Sequence, residues 1–237
     1  HTFANAGTED LWRAFEDASG KSVQAMMKNW TAKPGYPYLT IEEKKRGLEL
    51  RQQRFFGGAK ELRASRDTTL WNIPLGIEGD SAGRVMKKKV ELLPPASGVA
   101  TNVLSGAKFN HGETGLFRVK YPSAWYPLLE RRLGEGAFEP PDRLGLLRDM
   151  FALAESGVLP VTQALSALSA YKQENEYHVW SIVSAGISQI GNLLFHTPHY
   201  EAYRTFARGM FADISRKIGW EKHFGERHTD TMLRTLA

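Results

Sequence analysis

The sequence predicts a chain of mixed α and β class: a short helical segment, then an antiparallel β-sandwich, then an α-helical array. Two observations predict it. Apolar residues recur at helical spacing before Thr31, alternate at a period of two between Tyr38 and Tyr121, and return to helical spacing from Pro122 onward. Proline and glycine gather where the period changes, at Pro34-Gly35-Tyr36-Pro37 and at Tyr121-Pro122. The expected boundaries are therefore 1–35, 36–121 and 122–237.

In the first segment Thr8 is the expected N-cap, Glu9 and Asp10 suit the positive end of the helix dipole, and Leu11, Phe15 and Ala18 share a face before Gly20. Ser22 caps a second helix whose Val23, Met26, Met27 and Trp30 fall at i, i+3, i+4 and i+7. Both faces lack a partner nearby in sequence.

Strands are expected at Tyr38 to Ile41, Leu48 to Phe56, Thr69 to Ile77 and Arg84 to Leu93. Pro74 implies an edge or a bulge, Gly79-Asp80 a turn, and Pro94-Pro95 a stop. Gly106 to Asn110 and Gly115 to Tyr121 read as a hairpin around His111-Gly112. So many short strands fit a small sandwich.

Helices follow at Ser123 to Leu133, at Pro141 to Ser156 with Leu144, Leu147, Phe151 and Ala154 on one face, and around Val161 to Leu168. The next is Glu176 to Leu194, with Tyr177, Trp180, Ile187, Ile190 and Leu194 inside. Thr197-Pro198 reads as an N-cap with proline in the first turn of another, and His228 to Ala237 begins a last one. Antiparallel helices joined by short loops point to an α-superhelix of the HEAT or armadillo kind, incomplete at Ala237.

Composition narrows the function classes. The 237 residues carry a net charge of +5 and no cysteine, which removes disulfides and thiolate chemistry and accords with a reducing, cytoplasmic setting. No apolar run approaches the ~20 residues that span a bilayer. Basic residues cluster only at Lys44-Lys45-Arg46, Lys87-Lys88-Lys89 and Arg131-Arg132, beside turns or strand ends, which reads as solvated surface and not as a nucleic-acid footprint.

The candidate motifs for chemistry are weak. Gly79-Asp80-Ser81-Ala82-Gly83 matches G-x-S-x-G, yet a lysine-rich strand follows where a nucleophile elbow needs a helix, and only His1 precedes Ser81. His196, His199 and Glu201 lie close in sequence, but Pro198 makes that stretch a helix start. Glu174 and His178, at i and i+4, read as a surface ion pair. Gly57-Gly58-Ala59-Lys60 lacks most of a phosphate loop. Tyr177, Trp180, Tyr200, Tyr203 and Trp220 read as core before they read as a stacking platform.

Several stretches carry more when taken together. They are Thr8-Glu9-Asp10-Leu11-Trp12, Ala18-Ser19-Gly20-Lys21, Trp30-Thr31 with Pro34-Gly35-Tyr36-Pro37, Trp71-Asn72-Ile73-Pro74-Leu75, and Gly115-Leu116-Phe117-Arg118-Val119-Lys120-Tyr121. Further along come Asp142-Arg143, Leu147-Arg148-Asp149, Leu168-Ser169-Ala170-Tyr171, Tyr177, Trp180, Gly219-Trp220, Gly225-Glu226, His228 and Leu233-Arg234. In order and spacing they resemble zinc aminopeptidases of the aminopeptidase N family, in particular the puromycin-sensitive and endoplasmic-reticulum type. That family's H-E-x-x-H zinc motif and G-A-M-E-N segment do not occur here.

The resemblance implies the noncatalytic C-terminal portion of such an enzyme, with a catalytic-domain remnant first, the sandwich next, and the start of a helical domain that closes over the active site. It implies an upstream catalytic domain of the same protein and peptide substrates as partners, while the scattered basic residues and short apolar runs argue against nucleic acid and membrane as partners. No catalytic or metal-ligating residue is expected in this chain, the zinc being expected upstream. Substrate-contacting residues are left unassigned, Arg234 included. The alternative from a different class is a free-standing module, sandwich plus helical repeat, that binds peptide or protein on a concave face.

Overall fold

The computed structural model describes residues 5–45, 47–81, 84–93, 98–100, 103 and 105–237, with the backbone alone at 79–81, 84–93 and 98–100. Helix α1 (Thr8–Ser19) and helix α2 (Val23–Thr31) form where the spacing predicts them. Gly7, not Thr8, holds the N-cap position, and the Asp10 carboxylate accepts its N–H at 2.9 Å. Neither helix has a fully buried residue. The end of α2 is fastened to the segment from Leu70 to Asn72: the Trp30 indole donates to the Asn72 carbonyl at 3.0 Å, and Asn29 bonds the Leu70 carbonyl and the Asn72 N–H.

The strands form two small sheets. Strands β1 (Pro37–Lys44), β2 (Gly47–Arg54), β5 (Gly98–Ala100) and β7 (Arg118–Lys120) make one, in the order β5-β2-β1-β7. Strands β3 (Ile73–Ser81), β4 (Arg84–Leu93) and β6 (Lys108–Phe109) make the other, in the order β4-β3-β6. The expected hairpin between Gly106 and Tyr121 is not formed. Strand β6 pairs with β3 while β7 runs parallel to β1, because residues 110–115 fold into a tight turn that carries the chain from one sheet to the other. Pro74 lies opposite Leu92 of β4 and, among the described residues, is unpaired on its other side, since β6 reaches only Ile77 and Glu78. The strand shifts register between Ile77 and Gly79 and continues through Gly79-Asp80, where a turn was expected, to Ser81.

Alternation then does its work. Leu39 and Ile41, Leu48 and Leu50, Trp71, Ile73, Leu75 and Ile77, and Phe117, Val119 and Tyr121 are all buried in one core that continues into the helices. Gln52 ties β2 to the segment that leads into β3, donating to the Trp71 carbonyl and accepting its N–H at 2.8 and 2.7 Å. The short surface helix α3 (Ala59–Ala64) follows Gly57-Gly58 and has no apolar stripe by which to foresee it.

Six more helices follow: α4 (Tyr126–Gly134), α5 (Pro140–Glu155), α6 (Val161–Leu168), α7 (Tyr177–Leu194), α8 (Tyr200–Ile218) and α9 (His228–Leu236). Helix α5 packs on α6 and α7, and α7 on α8 and α9. The single apolar face expected of α5 is replaced by burial around much of its circumference: Asp142, Gly145, Leu146, Leu147, Asp149, Met150 and Leu153 are all buried, because α5 lies between the sheets and the other helices. Helix α8 begins at Tyr200, and Thr197-Pro198 lies in the preceding turn, where the Thr197 hydroxyl accepts the His199 N–H at 3.3 Å. Among the described residues no helix is long and apolar enough to cross a membrane.

Candidate functional site

The densest polar chemistry lies where the turn after β6 meets α5. Asn110 shapes that turn: at φ 55° it sits in the left-handed region, its side-chain oxygen accepts the Gly115 N–H at 2.8 Å, and its amide donates to the carbonyls of Gly115 and Phe117 at 3.0 and 3.3 Å. Gly112 and Glu113 are also left-handed, at φ 69° and 53°. Left-handed backbone at a glutamate is costly and persists only when its surroundings hold it. Here two cations hold it. Lys108 lies 2.8 Å from Glu113 Oε1 and Arg148 lies 2.5 Å from Oε2. Lys108 is 2% exposed and also donates to the Phe109 carbonyl at 2.8 Å, so its buried charge is paired and hydrogen-bonded. Gly145 of α5 leaves the space that the Glu113 carboxylate fills.

A second connection runs from β7 to α5. Arg118 lies 3.0 Å from Asp149 Oδ1, donates to the Tyr36 hydroxyl at 3.2 Å, and stacks over Phe55 at 4.8 Å. The other Asp149 oxygen accepts the Val119 N–H at 2.9 Å. Burial and the Glu113 charge push the Asp149 carboxyl up to about 6, against the opposing pull of Arg118, Lys108 and Arg148. Between these groups lies a cleft of about 360 Å³ lined by Tyr36, Glu113, Leu116, Arg118 and Arg148 among others. No nucleophile paired with a base lines it, and its charges are occupied in holding elements together.

Helix α5 is tethered on its other side too. Arg143 grips Glu174 through two bonds of 2.6 and 3.0 Å, and Glu174 accepts the N–H groups of Asn175 and Glu176. The Tyr171 hydroxyl donates to the Arg143 carbonyl at 2.7 Å, and the Trp180 indole to the Glu174 carbonyl at 2.9 Å. The surface pair expected between Glu174 and His178 is therefore absent: Glu174 is buried against Arg143 while His178 is exposed. At the far end Arg234 binds both oxygens of Glu226, at 2.9 and 2.6 Å, and donates to the carbonyls of Ile218 and Gly219, joining α9 to the end of α8.

The remaining sequence candidates are not brought together. Ser81 ends β3 opposite Arg84, with a strand and not a helix after it; its side chain and residues Ala82-Gly83 lie outside the description, as do the side chains of Lys87, Lys88 and Lys89 and all of Pro94-Pro95. His196, His199 and Glu201 are exposed, and among the described residues they form no metal-binding group. Of the aromatics, Trp180 and Tyr203 are core, Tyr177 and Tyr200 are half-buried, and Trp220 is 92% exposed. Reasoning from sequence missed Lys108, His111, Glu113 and Glu78, since single charged residues in short strands and turns carry no periodic signal.

The residues quoted from the sequence as landmarks thus prove to be connectors: Arg118, Asp142, Arg143, Arg148, Asp149, Tyr171, Trp180 and Arg234 each bridge two elements. Residues 107–237 match the ERAP1-like C-terminal domain. The chain belongs to the aminopeptidase N family. It is 30% identical to aminopeptidase M1 of Arabidopsis thaliana over 99% of its own length and 28% of that protein's. It is 31% identical to aminopeptidase A of Gloydius brevicauda, covering all of this chain and 25% of the relative, and 26% identical to the puromycin-sensitive aminopeptidase of Caenorhabditis elegans, covering 99% and 25%. The chain spans about a quarter of the length of the curated relatives it matches.

Proposed function

We propose that this chain is the noncatalytic C-terminal portion of a zinc aminopeptidase that removes N-terminal residues from peptides, and that it supports and encloses the active site. The observation that carries the reading is the match of residues 107–237 to that family's C-terminal domain in a chain without an H-E-x-x-H motif. In this reading residues 36–121 are a β-sandwich, residues 122–237 are the first part of an α-superhelix, and residues 1–35 belong with a cytoplasmic parent's catalytic domain. Support comes from α1, whose Leu11 and Phe15 are 49% and 50% exposed on one face, as a helix packed against a further domain requires. The zinc and its general base would come from outside this chain, which contributes position and enclosure.

A panel of aminoacyl fluorogenic substrates tests this, run on the purified 237-residue chain with and without added zinc. The reading predicts no turnover in either condition. Chelator-sensitive release of the fluorophore would overturn it.

A further inference from the structure

We propose that Glu78, His111 and Asp142 form a binding site for a divalent transition-metal ion of the zinc class, a site that is independent of the peptidase reading above. The three side chains come from three segments: β3, the turn after β6, and the first turn of α5. His111 Nδ1 lies 2.5 Å from Glu78 Oε2 and 2.9 Å from Asp142 Oδ2, and all three ligand atoms fall within 4.8 Å of one another. A ring nitrogen carries at most one hydrogen, so it cannot donate to both carboxylates. It donates to neither: His111 Nδ1 and Asp142 Oδ2 are both buried and make no hydrogen bond. The Asp142 side chain is wholly buried, so no solvent compensates for the unpaired oxygen. One cation among the three atoms would satisfy all of them.

The donor set selects the ion. One imidazole nitrogen with two carboxylate oxygens suits zinc, cobalt or nickel, whereas calcium and magnesium favour shells made of oxygen alone. Bonds of zinc length would set the donors about 3.3 Å apart, so loading the ion spreads Glu78 and His111 slightly. Their side chains keep 14% and 16% exposure, which leaves room for that movement and for a water in the open position. Asp142 is already oriented, because its other oxygen accepts the Gly112 N–H at 2.7 Å and faces Lys108 at 3.5 Å. Lys108 faces both Asp142 and Glu113, and Arg148 pairs with Glu113, so these two cations and the three carboxylates of Glu78, Asp142 and Glu113 leave one negative charge for the ion to meet.

The test is calorimetric titration of chelator-treated 237-residue chain with Zn²⁺, with the visible absorption of a Co²⁺-loaded sample as a second readout. Expected are one ion per chain, a raised Tm, and an affinity weakened by roughly tenfold or more in both His111→Ala and Glu78→Gln. His196→Ala/His199→Ala should bind as the parent chain does. Both ligand variants alter partly exposed side chains and should remain folded, which near-native circular dichroism checks. Absence of stoichiometric binding would overturn the proposal. So would binding that survives in His111→Ala or disappears in His196→Ala/His199→Ala. Turnover in the peptidase assay leaves these outcomes unchanged, so the two readings fail separately.

Discussion

Asp149 shows how one buried carboxyl couples the sheets to α5 and ties stability to pH. Its pKa rises from 3.8 to about 6, so the folded state holds this proton more firmly than the unfolded chain does. The contribution is therefore full below pH 3.8 and is lost as pH rises through about 6. Asp149→Asn keeps an acceptor for the Val119 N–H and cannot ionise. Relative to the parent chain it should gain up to about 3 kcal/mol between acidic and neutral pH, read as the difference in urea midpoints at the two ends of the window. A difference that does not change with pH would refute the shift. At Gly145 an added methyl would land on the Glu113 carboxylate, which Lys108 and Arg148 hold in place. Gly145→Ala should thus lose about 1–3 kcal/mol by overpacking, despite the better helix propensity of alanine. A stability gain in denaturant titration would show that Glu113 moves aside freely.

At the scale of elements α5 is the hub, and its charged residues reach in two directions. Asp142, Arg148 and Asp149 reach the sheet side, and Arg143 reaches the α6–α7 loop. Arg143→Ala would leave the Glu174 carboxylate buried without its cation, a change that typically costs roughly 3–5 kcal/mol. Adding Glu174→Ala should then cost much less than Glu174→Ala alone, which a double-mutant cycle of urea midpoints measures. Independent effects would mean that the two side chains are not coupled. Helices α5, α6, α7 and α9 were legible to within a residue or so, because Pro140, Gly157 and Pro160 bound α5 and α6 and apolar residues recur at helical spacing in α7. Strands β6 and β7 were legible as strands, but their partners were not. Two or three residues each carry too little pattern to say which sheet they join, and the deciding feature is the left-handed geometry at Asn110, Gly112 and Glu113. The candidate site was illegible for a related reason. Glu78, His111 and Asp142 show no ligand spacing, and only the folded turn brings them together.

For the whole molecule, these connectors tie the sheets to helices α4 to α7, and the two parts are expected to unfold as one cooperative unit. Arg118 and Asp149 join β7 to α5, Glu113 joins the turn to α5, and Trp125 reaches back to Glu43 of β1 at 2.7 Å. The exposed face of α1 lies outside that unit, and its amides should exchange early. The most direct test is native-state hydrogen exchange of the 237-residue chain at increasing urea. Amides of Leu39 and Val119 in the sheet and of Val183 in α7 should converge on one global unfolding free energy. If the sheet amides instead exchanged through an opening of their own, well below that of α7, the junction at α5 would not bind the two parts into one unit.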